Sequence, residues 1–276
     1  MTLARLLLAI AVLLVAPVWA ATDVSKLHGL SDLRFHQMES DVEGDPPYYI
    51  YVRLPEEMTE DDQQRYPVVY LLDGGVSFAA LAGYYRYLRM GQELPPMIIV
   101  GISYGTDDWQ QGNRRSHDYT MPSTEREHYG GAAAFDEWLG KRLIPLIEQN
   151  YPANPERRII FGQSMGGQFV IHEAMFRPGR FWGHIASNAA LHRNLDSFLS
   201  SPEEIPVKLP KLFVIGGSDD EPRFAVPRSE WIKHWLAQDV RPFELKLATL
   251  PGDGHFSALP GAFRQGLRWL FADTDT

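Results

Sequence analysis

Short runs of continuously apolar residues alternate along this chain with segments whose apolar residues recur at helical spacing. The runs are rich in Val, Ile, Leu and aromatic residues, which predicts β-strands, several of them buried on both faces. The predicted strands cover residues 48–54, 67–73, 97–103, 158–163, 181–187, 211–217 and 244–250. Strands that alternate with helices predict an α/β fold, with a mostly parallel central sheet and helices on both faces.

Helices are predicted in the segments between these strands. In residues 132–150 the apolar positions recur at helical spacing, and Pro145 indicates a kink. Further helices are predicted over residues 165–176, 229–237 and 262–271. Residues 74–96 and 104–131 contain glycine, proline and aromatic residues, and they are expected to be long loops that form the rim of a site.

Residues 1–20 differ in pattern from the rest of the chain. Arg5 precedes an apolar stretch of about ten residues, and small residues follow it, which is typical of a secretory signal peptide. The stretch is short for a membrane span, which needs about 20 apolar residues. With Val18 and Ala20 before the break, cleavage after Ala20 is expected to leave one domain over residues 21–276, secreted or periplasmic. A retained N-terminal anchor is the alternative.

Composition and charge narrow the possible functions. The chain has no cysteine, which excludes cysteine nucleophiles, thiolate zinc sites and redox motifs. Its formal net charge is −9, which argues against nucleic acid and anionic membranes as partners. No segment after the signal is apolar enough to span a bilayer, and the sequence does not indicate an oligomeric state.

One five-residue motif indicates a catalytic serine. Residues 162–166 read Gly-Gln-Ser-Met-Gly, between a predicted strand and a predicted helix, which fits a nucleophile elbow. Such a turn strains the backbone of the serine, Ser164, and brings the residues two before and two after it close to neighbouring chain. Gly162 and Gly166 occupy those positions, where a side chain would clash. The alternative is a tight turn in which Ser164 only caps the helix.

A catalytic serine needs a base, and the base needs an orienting acid. In α/β-hydrolases the acid and then the histidine follow the serine along the chain. His255 lies in a glycine-containing loop between the last predicted strand and helix, which makes it the candidate base. Asp219, Asp220 and Glu221 all follow the strand at residues 211–217, and their spacing does not select one as the acid.

The tetrahedral intermediate of acyl transfer also needs hydrogen-bond donors for its oxyanion. One donor is expected from the backbone N–H of Met165, the residue after the serine. The other is expected from the loop after an early strand, where Asp73, Gly74 and Gly75 let backbone N–H groups approach a substrate. A plain Asp-Gly turn is the alternative for that loop.

Five motifs in this order resemble one known family over about residues 45–272: PVVYLLDGG, MIIVGISYG, RRSHDYT, RRIIFGQSMGGQFV and GDGHF. They are similar to the Putative esterase family of α/β-hydrolases, which includes esterase D, the enterochelin and other siderophore esterases, feruloyl esterases and the antigen 85 mycolyltransferases. The resemblance implies an α/β-hydrolase fold, a serine ester hydrolase and no metal or organic cofactor.

The family's functional residues fall on definite positions of this chain. Its serine falls on Ser164, its histidine on His255, and its oxyanion donors on Gly75 and Met165. Its acidic G-x-x-[DE] pattern fits Asp220 and, one residue earlier, Asp219. The resemblance favours Asp220, because Glu-Pro follows it as in some relatives. Some siderophore-esterase relatives work with serine and histidine alone.

The substrate is expected to be a small or medium ester. The export signal, the lone catalytic domain and the RRSHDYT segment favour the siderophore-esterase branch. Arg114 and Arg115 are candidate contacts for an anionic or catecholate ligand, with ion pairing to Asp118 as the alternative. Four aromatic residues are candidates for the rim of the site: Tyr84, Tyr85, Trp109 and Tyr119. The same residues could serve an acyltransferase, a peptidase or a non-catalytic ligand-binding protein of this fold.

Overall fold

The computed structural model describes residues 33–58, 63–202 and 205–272, so the predicted signal peptide lies outside the described residues. Eight strands form one sheet in the order β1-β2-β4-β3-β5-β6-β7-β8. Their bounds are β1 Leu33–Met38, β2 Tyr48–Arg53, β3 Tyr66–Leu71, β4 Ile98–Ser103, β5 Ala153–Gln163, β6 Gly183–Ser187, β7 Lys211–Gly217 and β8 Glu244–Leu250. The first two strands pair antiparallel and the other six run parallel, which confirms the predicted mostly parallel sheet.

Seven helices cover the two faces of this sheet in the described part of the chain. They are α1 Gly74–Met90, α2 Arg115–Asp118, α3 Ala132–Trp138, α4 Ile144–Asn150, α5 Met165–Phe176, α6 Pro222–Leu236 and α7 Ala258–Phe271. Helices α1 and α7 pack on one face, around Leu81 and Phe263, and α3 to α6 pack on the other, around Phe169 and Trp231. No helix of residues 33–58, 63–202 and 205–272 is long and apolar enough to cross a membrane.

The prediction of a loop over residues 74–96 was wrong, because most of this segment forms helix α1. Its buried residues recur at helical spacing: Phe78, Leu81, Ala82, Tyr85 and Leu88. The glycine at its start indicates close packing rather than a loop, since a Cβ on Gly74 would lie 2.4 Å from the backbone nitrogen of Ile102. Residues 104–131 are mostly irregular, as expected, and contain only α2 and a 3₁₀ turn at Trp109–Gln111.

Three other helices differ from their predicted bounds, and the simplest case is α7, which begins at Ala258 rather than at residue 262. The predicted kink at Pro145 is a π-helical turn, Leu139–Leu143, that joins α3 to α4. Proline has no N–H to donate to the preceding turn, and a π turn accommodates that loss without ending the helix. Helix α6 begins seven residues earlier than predicted, with Pro222 in its first turn, where proline is favoured.

Candidate active site

Ser164 lies at the sharp turn between β5 and α5 and has φ 58° and ψ −118°, a backbone conformation that L-residues rarely adopt. Three hydrogen bonds hold this turn. The N–H of Ser164 donates to the carbonyl oxygen of Ser187 at 3.0 Å, and the carbonyl oxygen of Ser164 accepts from the N–H groups of Gln168 and Ala190, both at 3.0 Å. The backbone therefore has the strained geometry of a nucleophile elbow, with partners that keep it there.

The glycines around Ser164 allow this turn because backbone passes close to them. A Cβ on Gly162 would lie 2.3 Å from the carbonyl oxygen of Gly166, so the two glycines touch each other. A Cβ on Gly167 would lie 2.9 Å from the carbonyl oxygen of Ser187. A Cβ on Gly166 would meet its nearest neighbours at 3.4 Å, a much smaller conflict. Space is therefore tightest at Gly162 and Gly167.

His255 lies in the loop between β8 and α7, and its imidazole contacts Asp220. Its Nδ1 lies 2.8 Å from Oδ1 of Asp220, with the two side chains 5% and 0% exposed. The ring of Phe224 stacks on the imidazole at 4.1 Å between centroids. Because Nδ1 is engaged by the carboxylate, Nε2 is the ring nitrogen that remains for a serine hydroxyl. Ser164 and His255 line the same cavity.

The three consecutive carboxylates after β7 point to different partners. Asp220 contacts His255, whereas the exposed Asp219 accepts a hydrogen bond of 2.8 Å from the hydroxyl of Ser218. Glu221 pairs with Arg223 at 2.8 Å on the rim of the cavity. Of the two aspartates that the sequence left open, Asp220 has the geometry of a triad acid.

Asn188, which the sequence analysis missed, ties the histidine loop to the end of β7. Its side-chain amide donates to the carbonyl oxygens of His255 at 2.8 Å and of Gly254 at 3.2 Å. Its side-chain oxygen accepts from the N–H of Gly217 at 2.9 Å. Asn188 has φ 42°, a region that asparagine tolerates better than most residues. A lone Asn after a strand carries no chemical motif, so the sequence alone gave no signal for it.

The two predicted oxyanion donors lie in the first turns of two helices. Gly75 is in the first turn of α1 and lines the cavity beside Ser164, and Met165 is the first residue of α5. The first N–H groups of a helix have no acceptor within the helix, and the helix dipole is positive at that end. Both positions therefore suit the stabilisation of a developing negative charge.

Arg115 lines the cavity, but its guanidinium is bound to Asp73. Nε and one terminal nitrogen of Arg115 donate to the two carboxylate oxygens of Asp73 at 2.6 and 2.8 Å. Burial alone would lower the pKa of Arg115, yet the Asp73 carboxylate outweighs burial and raises it. Asp73 caps α1 with φ 54°, so this bidentate pair holds the turn that carries Gly75.

Arg114 does not line the cavity, unlike Arg115. Its guanidinium lies over the ring of Tyr48 at 4.7 Å, donates to the carbonyl oxygen of Pro46 at 2.6 Å and pairs with Asp45 at 3.2 Å. It also lies 3.9 Å from Asp118, in line with the alternative of a loop-holding pair. These contacts pack the loop before α2.

None of the four aromatic residues predicted for the rim, Tyr84 among them, lines the cavity. Tyr85 and Tyr119 are buried in the packing, and Trp109 is exposed. Periodicity explains the error at Tyr85, which lies on the buried face of α1, a helix that the sequence analysis treated as loop. The aromatic residues that line the cavity are Tyr104, Phe161, Phe224 and Phe256.

The cavity above Ser164 has a volume of about 570 Å³ and a mixed lining. Apolar side chains include Val76 and Leu259. The charged side chains are Asp73, Asp107, Arg115, Glu221 and Arg223. Within the described ranges, no group of three or more His, Cys, Asp or Glu side chains could hold a metal ion.

Comparison with known proteins identifies the family of this chain. The model of the family described as Putative esterase matches residues 44–219. The chain belongs to this family. The esterase is 26% identical over 245 residues to ferri-bacillibactin esterase BesA of Bacillus subtilis, covering 80% of this chain and 84% of the relative. It is 28% identical over 169 residues to apo-salmochelin esterase of Escherichia coli, covering 58% of this chain and 52% of the relative.

A solved structure shares the fold of the esterase. Siderophore hydrolase EstB from Aspergillus nidulans superposes with a TM-score of 0.76 at 19% identity, covering 89% of this chain and 97% of that chain. The fold is that of the α/β-hydrolases, as the sequence predicted. Family and relatives together show that the protein is a serine ester hydrolase.

Proposed function

We propose that the esterase cleaves its substrate through a covalent acyl-enzyme on Ser164, with His255 as base and Asp220 as acid. The observation that carries this proposal is the shared cavity. Ser164, in the strained conformation of an elbow, lines the same cavity as His255, and the imidazole is bound through Nδ1 to a buried carboxylate. A serine that only capped a helix would not require a histidine–carboxylate pair in the same cavity.

Acylation follows from this arrangement. His255 accepts the proton of the Ser164 hydroxyl at Nε2 while the serine oxygen attacks the ester carbonyl. The backbone N–H groups of Gly75 and Met165 donate to the oxyanion, each worth roughly 3 kcal/mol of transition-state stabilisation. His255 then gives its proton to the leaving alcohol. Water, activated by the same imidazole, hydrolyses the acyl-enzyme and releases the acid.

The natural substrate in this proposal is a siderophore ester. The names of the two relatives support this class, since one acts on ferri-bacillibactin and the other on apo-salmochelin. The cavity lining also supports it. The aromatic rings of catechol arms would pack against Phe224 and Phe256. Three carboxylates line the cavity against two arginines, so the iron-free ester is expected to bind better than its more anionic ferric complex.

Hydrolysis of p-nitrophenyl esters from acetate to octanoate tests the mechanism. Ser164→Ala is expected to lose at least about a thousandfold in kcat. Ser229→Ala, at an exposed serine on α6, is the matched control and is expected to keep full activity. A serine-reactive phosphonate should label the wild type and not Ser164→Ala. Retained turnover in Ser164→Ala would overturn the proposed nucleophile.

A panel of siderophore esters, each with and without Fe³⁺, tests the substrate class. A kcat/KM for a catecholate trilactone well above that for p-nitrophenyl acetate is the expected result. Equal kcat/KM values for the two esters would indicate a general esterase and would contradict the siderophore proposal. Product analysis with an added acceptor alcohol separates hydrolysis from acyl transfer, because transfer forms a new ester.

The proposal includes export of the protein as a single domain. Its support is the sequence pattern of residues 1–20: a basic start, an apolar stretch of about ten residues and then small residues up to Ala20. Expression of the full chain and N-terminal sequencing of the periplasmic fraction test it. A mature N-terminus at residue 21 is expected, and full-length protein in the cytosol would contradict export.

A further inference from the structure

The carboxylate of Asp220 has a second partner behind the catalytic cavity. Its Oδ1 contacts His255, and its Oδ2 accepts a hydrogen bond of 2.5 Å from the guanidinium of Arg228. The side chains of Arg228 and Asp220 are 8% and 0% exposed, so this ion pair lies out of water. Arg228 sits on α6, two turns beyond the point where the chain leaves Asp220. A chain of contacts therefore runs from Arg228 through Asp220 to His255.

A glycine on β7, Gly216, leaves the space that the guanidinium of Arg228 occupies. A Cβ on Gly216 would lie 2.5 Å from the guanidinium carbon of Arg228, so the guanidinium occupies the volume where a side chain of β7 would lie. The next residue, Gly217, is equally constrained, because its Cβ would lie 2.0 Å from the carbonyl oxygen of Asp253. The two glycines at the end of β7 therefore serve different contacts: Gly216 leaves space for the guanidinium of Arg228, and Gly217 leaves space for the loop that carries His255.

We propose that Arg228 is a positioning residue that fixes the Asp220 carboxylate for its contact with His255. A carboxylate can rotate about its last side-chain bond, which would move Oδ1 away from the imidazole. Two charge-assisted hydrogen bonds at opposite oxygens fix that rotation. The buried cation also balances the charge of a carboxylate that has no access to water. Arg228 touches no substrate and acts only through Asp220.

The inference rests on the proposed triad, so its test must separate the two. Arg228→Met keeps the length of the side chain and removes the charge and the fork of donors. It is expected to lower kcat for p-nitrophenyl acetate on the order of tenfold to a hundredfold, the scale of a misplaced catalytic group, with KM changed less than about twofold. Ser164→Ala and Asp220→Asn are measured beside it, and their losses of activity establish the nucleophile and the acid independently of Arg228.

A second variant displaces the guanidinium of Arg228 without removing its charge, so it tests the position of the group alone. Gly216→Ala would push against the guanidinium, the far end of a flexible side chain, and leave the arginine in the chain. It is expected to reproduce the loss of kcat. If Arg228→Met fails to fold, as judged by its thermal transition, Gly216→Ala carries the test. Arg268→Met, at an exposed arginine on α7 that reaches Glu93 only at 3.5 Å, is the control and should keep full kcat.

Rescue distinguishes positioning from a structural contribution. Arg228→Lys restores the cation, and we expect it to recover part of the lost kcat. Arg228→Ala opens a buried space at the carboxylate, and added methylguanidinium at millimolar concentration is expected to raise its kcat without raising that of Arg268→Ala. A wild-type kcat in folded Arg228→Met, or a lost kcat that neither Lys nor methylguanidinium raises, would overturn the inference.

Discussion

The side-chain amide of Asn188 donates a hydrogen bond of 2.8 Å to the backbone carbonyl oxygen of His255. The same side chain accepts from the N–H of Gly217, next to the loop that carries Asp220. One asparagine at the end of β6 thus joins the backbones that position the histidine and the acid. Orientation of a catalytic base depends on such contacts as much as on its own side chain.

Asn188→Asp is expected to weaken this junction. The change keeps the oxygen that accepts from Gly217 and replaces the donor to His255 with an acceptor, so two oxygens face each other in a buried place. The carbonyl oxygen of His255 keeps its hydrogen bond from the side chain of Gln163, but that of Gly254 loses its side-chain donor. A buried group left without a hydrogen bond costs about 1–3 kcal/mol. We expect a lower thermal midpoint and a kcat reduced on the order of tenfold.

Kinetics on p-nitrophenyl acetate and thermal unfolding measure these two effects. Gln265→Glu makes the matching change from amide to carboxylate at an exposed position in the middle of α7 and should change neither. Wild-type kcat and midpoint in Asn188→Asp would show that the histidine loop does not depend on this contact.

The glycines around Ser164 are expected to respond unequally to an added methyl group. Gly162→Ala and Gly167→Ala bring Cβ to 2.3 and 2.9 Å from backbone oxygens, and overpacking of this kind costs about 1–3 kcal/mol or more. Gly166→Ala, with its nearest neighbour at 3.4 Å, should be milder. Denaturant unfolding and phosphonate labelling of Ser164 rank the three variants.

Gly83→Ala is the control for this series. It lies inside α1 with nothing within 4 Å of the new Cβ, so alanine should stabilise the helix by about 0.5–1 kcal/mol. A Gly166→Ala variant more destabilised than Gly162→Ala would contradict the distances and place the tight contact elsewhere.

The sequence predicted seven of the eight described strands, the elbow and the loop of His255, because each rests on a local pattern. The edge strand β1, which has no buried residue, was not predicted. Continuous apolar runs identify buried strands, and a glycine-serine-glycine turn identifies the elbow. Helix α1 was missed although its apolar residues recur at helical spacing, because the glycines at its start also suggest a loop. Gly74 instead allows close packing against Ile102, a contact between distant segments. Arg228 and Asn188 were missed because their partners are brought together only by the fold.

The contact between Arg115 and Asp73 is expected to affect the hydrolysis even of an uncharged ester. If Arg115 acted only on anionic groups of a ligand, Arg115→Met would leave hydrolysis of p-nitrophenyl acetate unchanged. The bidentate contact instead holds Asp73 and the turn that carries Gly75. We therefore expect Arg115→Met to lower kcat for this neutral ester, on the order of tenfold, with little change in KM.

A double-mutant cycle with Asp73→Asn checks that the two residues act as a pair. The effects of the single variants should not add, because either one breaks the same contact. Arg264→Met, at a partly exposed arginine on α7, is the control. If the losses of kcat were additive, or were confined to anionic esters, the prediction would be contradicted and Arg115 would instead act as a direct ligand contact.

Glu173 on α5 is expected to make stability depend on pH. Burial raises the pKa of Glu173 to about 8, and its two carboxyl oxygens have no hydrogen-bond partner within the described residues. Arg177 lowers this pKa but does not outweigh burial, and Arg180 lies 3.7 Å from one carboxyl oxygen. The folded protein therefore holds a proton on Glu173 that the unfolded chain releases above its ordinary pKa of 4.5.

The sign of the effect follows from this difference in bound protons. Stability from the protonated carboxyl is fully present below pH 4.5 and is lost as pH rises to about 8, by at most about 1.4 kcal/mol per pH unit. Glu173→Gln carries no titrating proton, so its free energy of unfolding should exceed that of the wild type at pH 8 by more than at pH 5. Urea unfolding at both values measures this. Glu230→Gln, at an exposed glutamate on α6, is the control, and its free energy of unfolding should differ from that of the wild type by the same amount at both pH values. The same result for Glu173→Gln would contradict the prediction, because it would mean that the Glu173 carboxyl is already ionised in the folded protein.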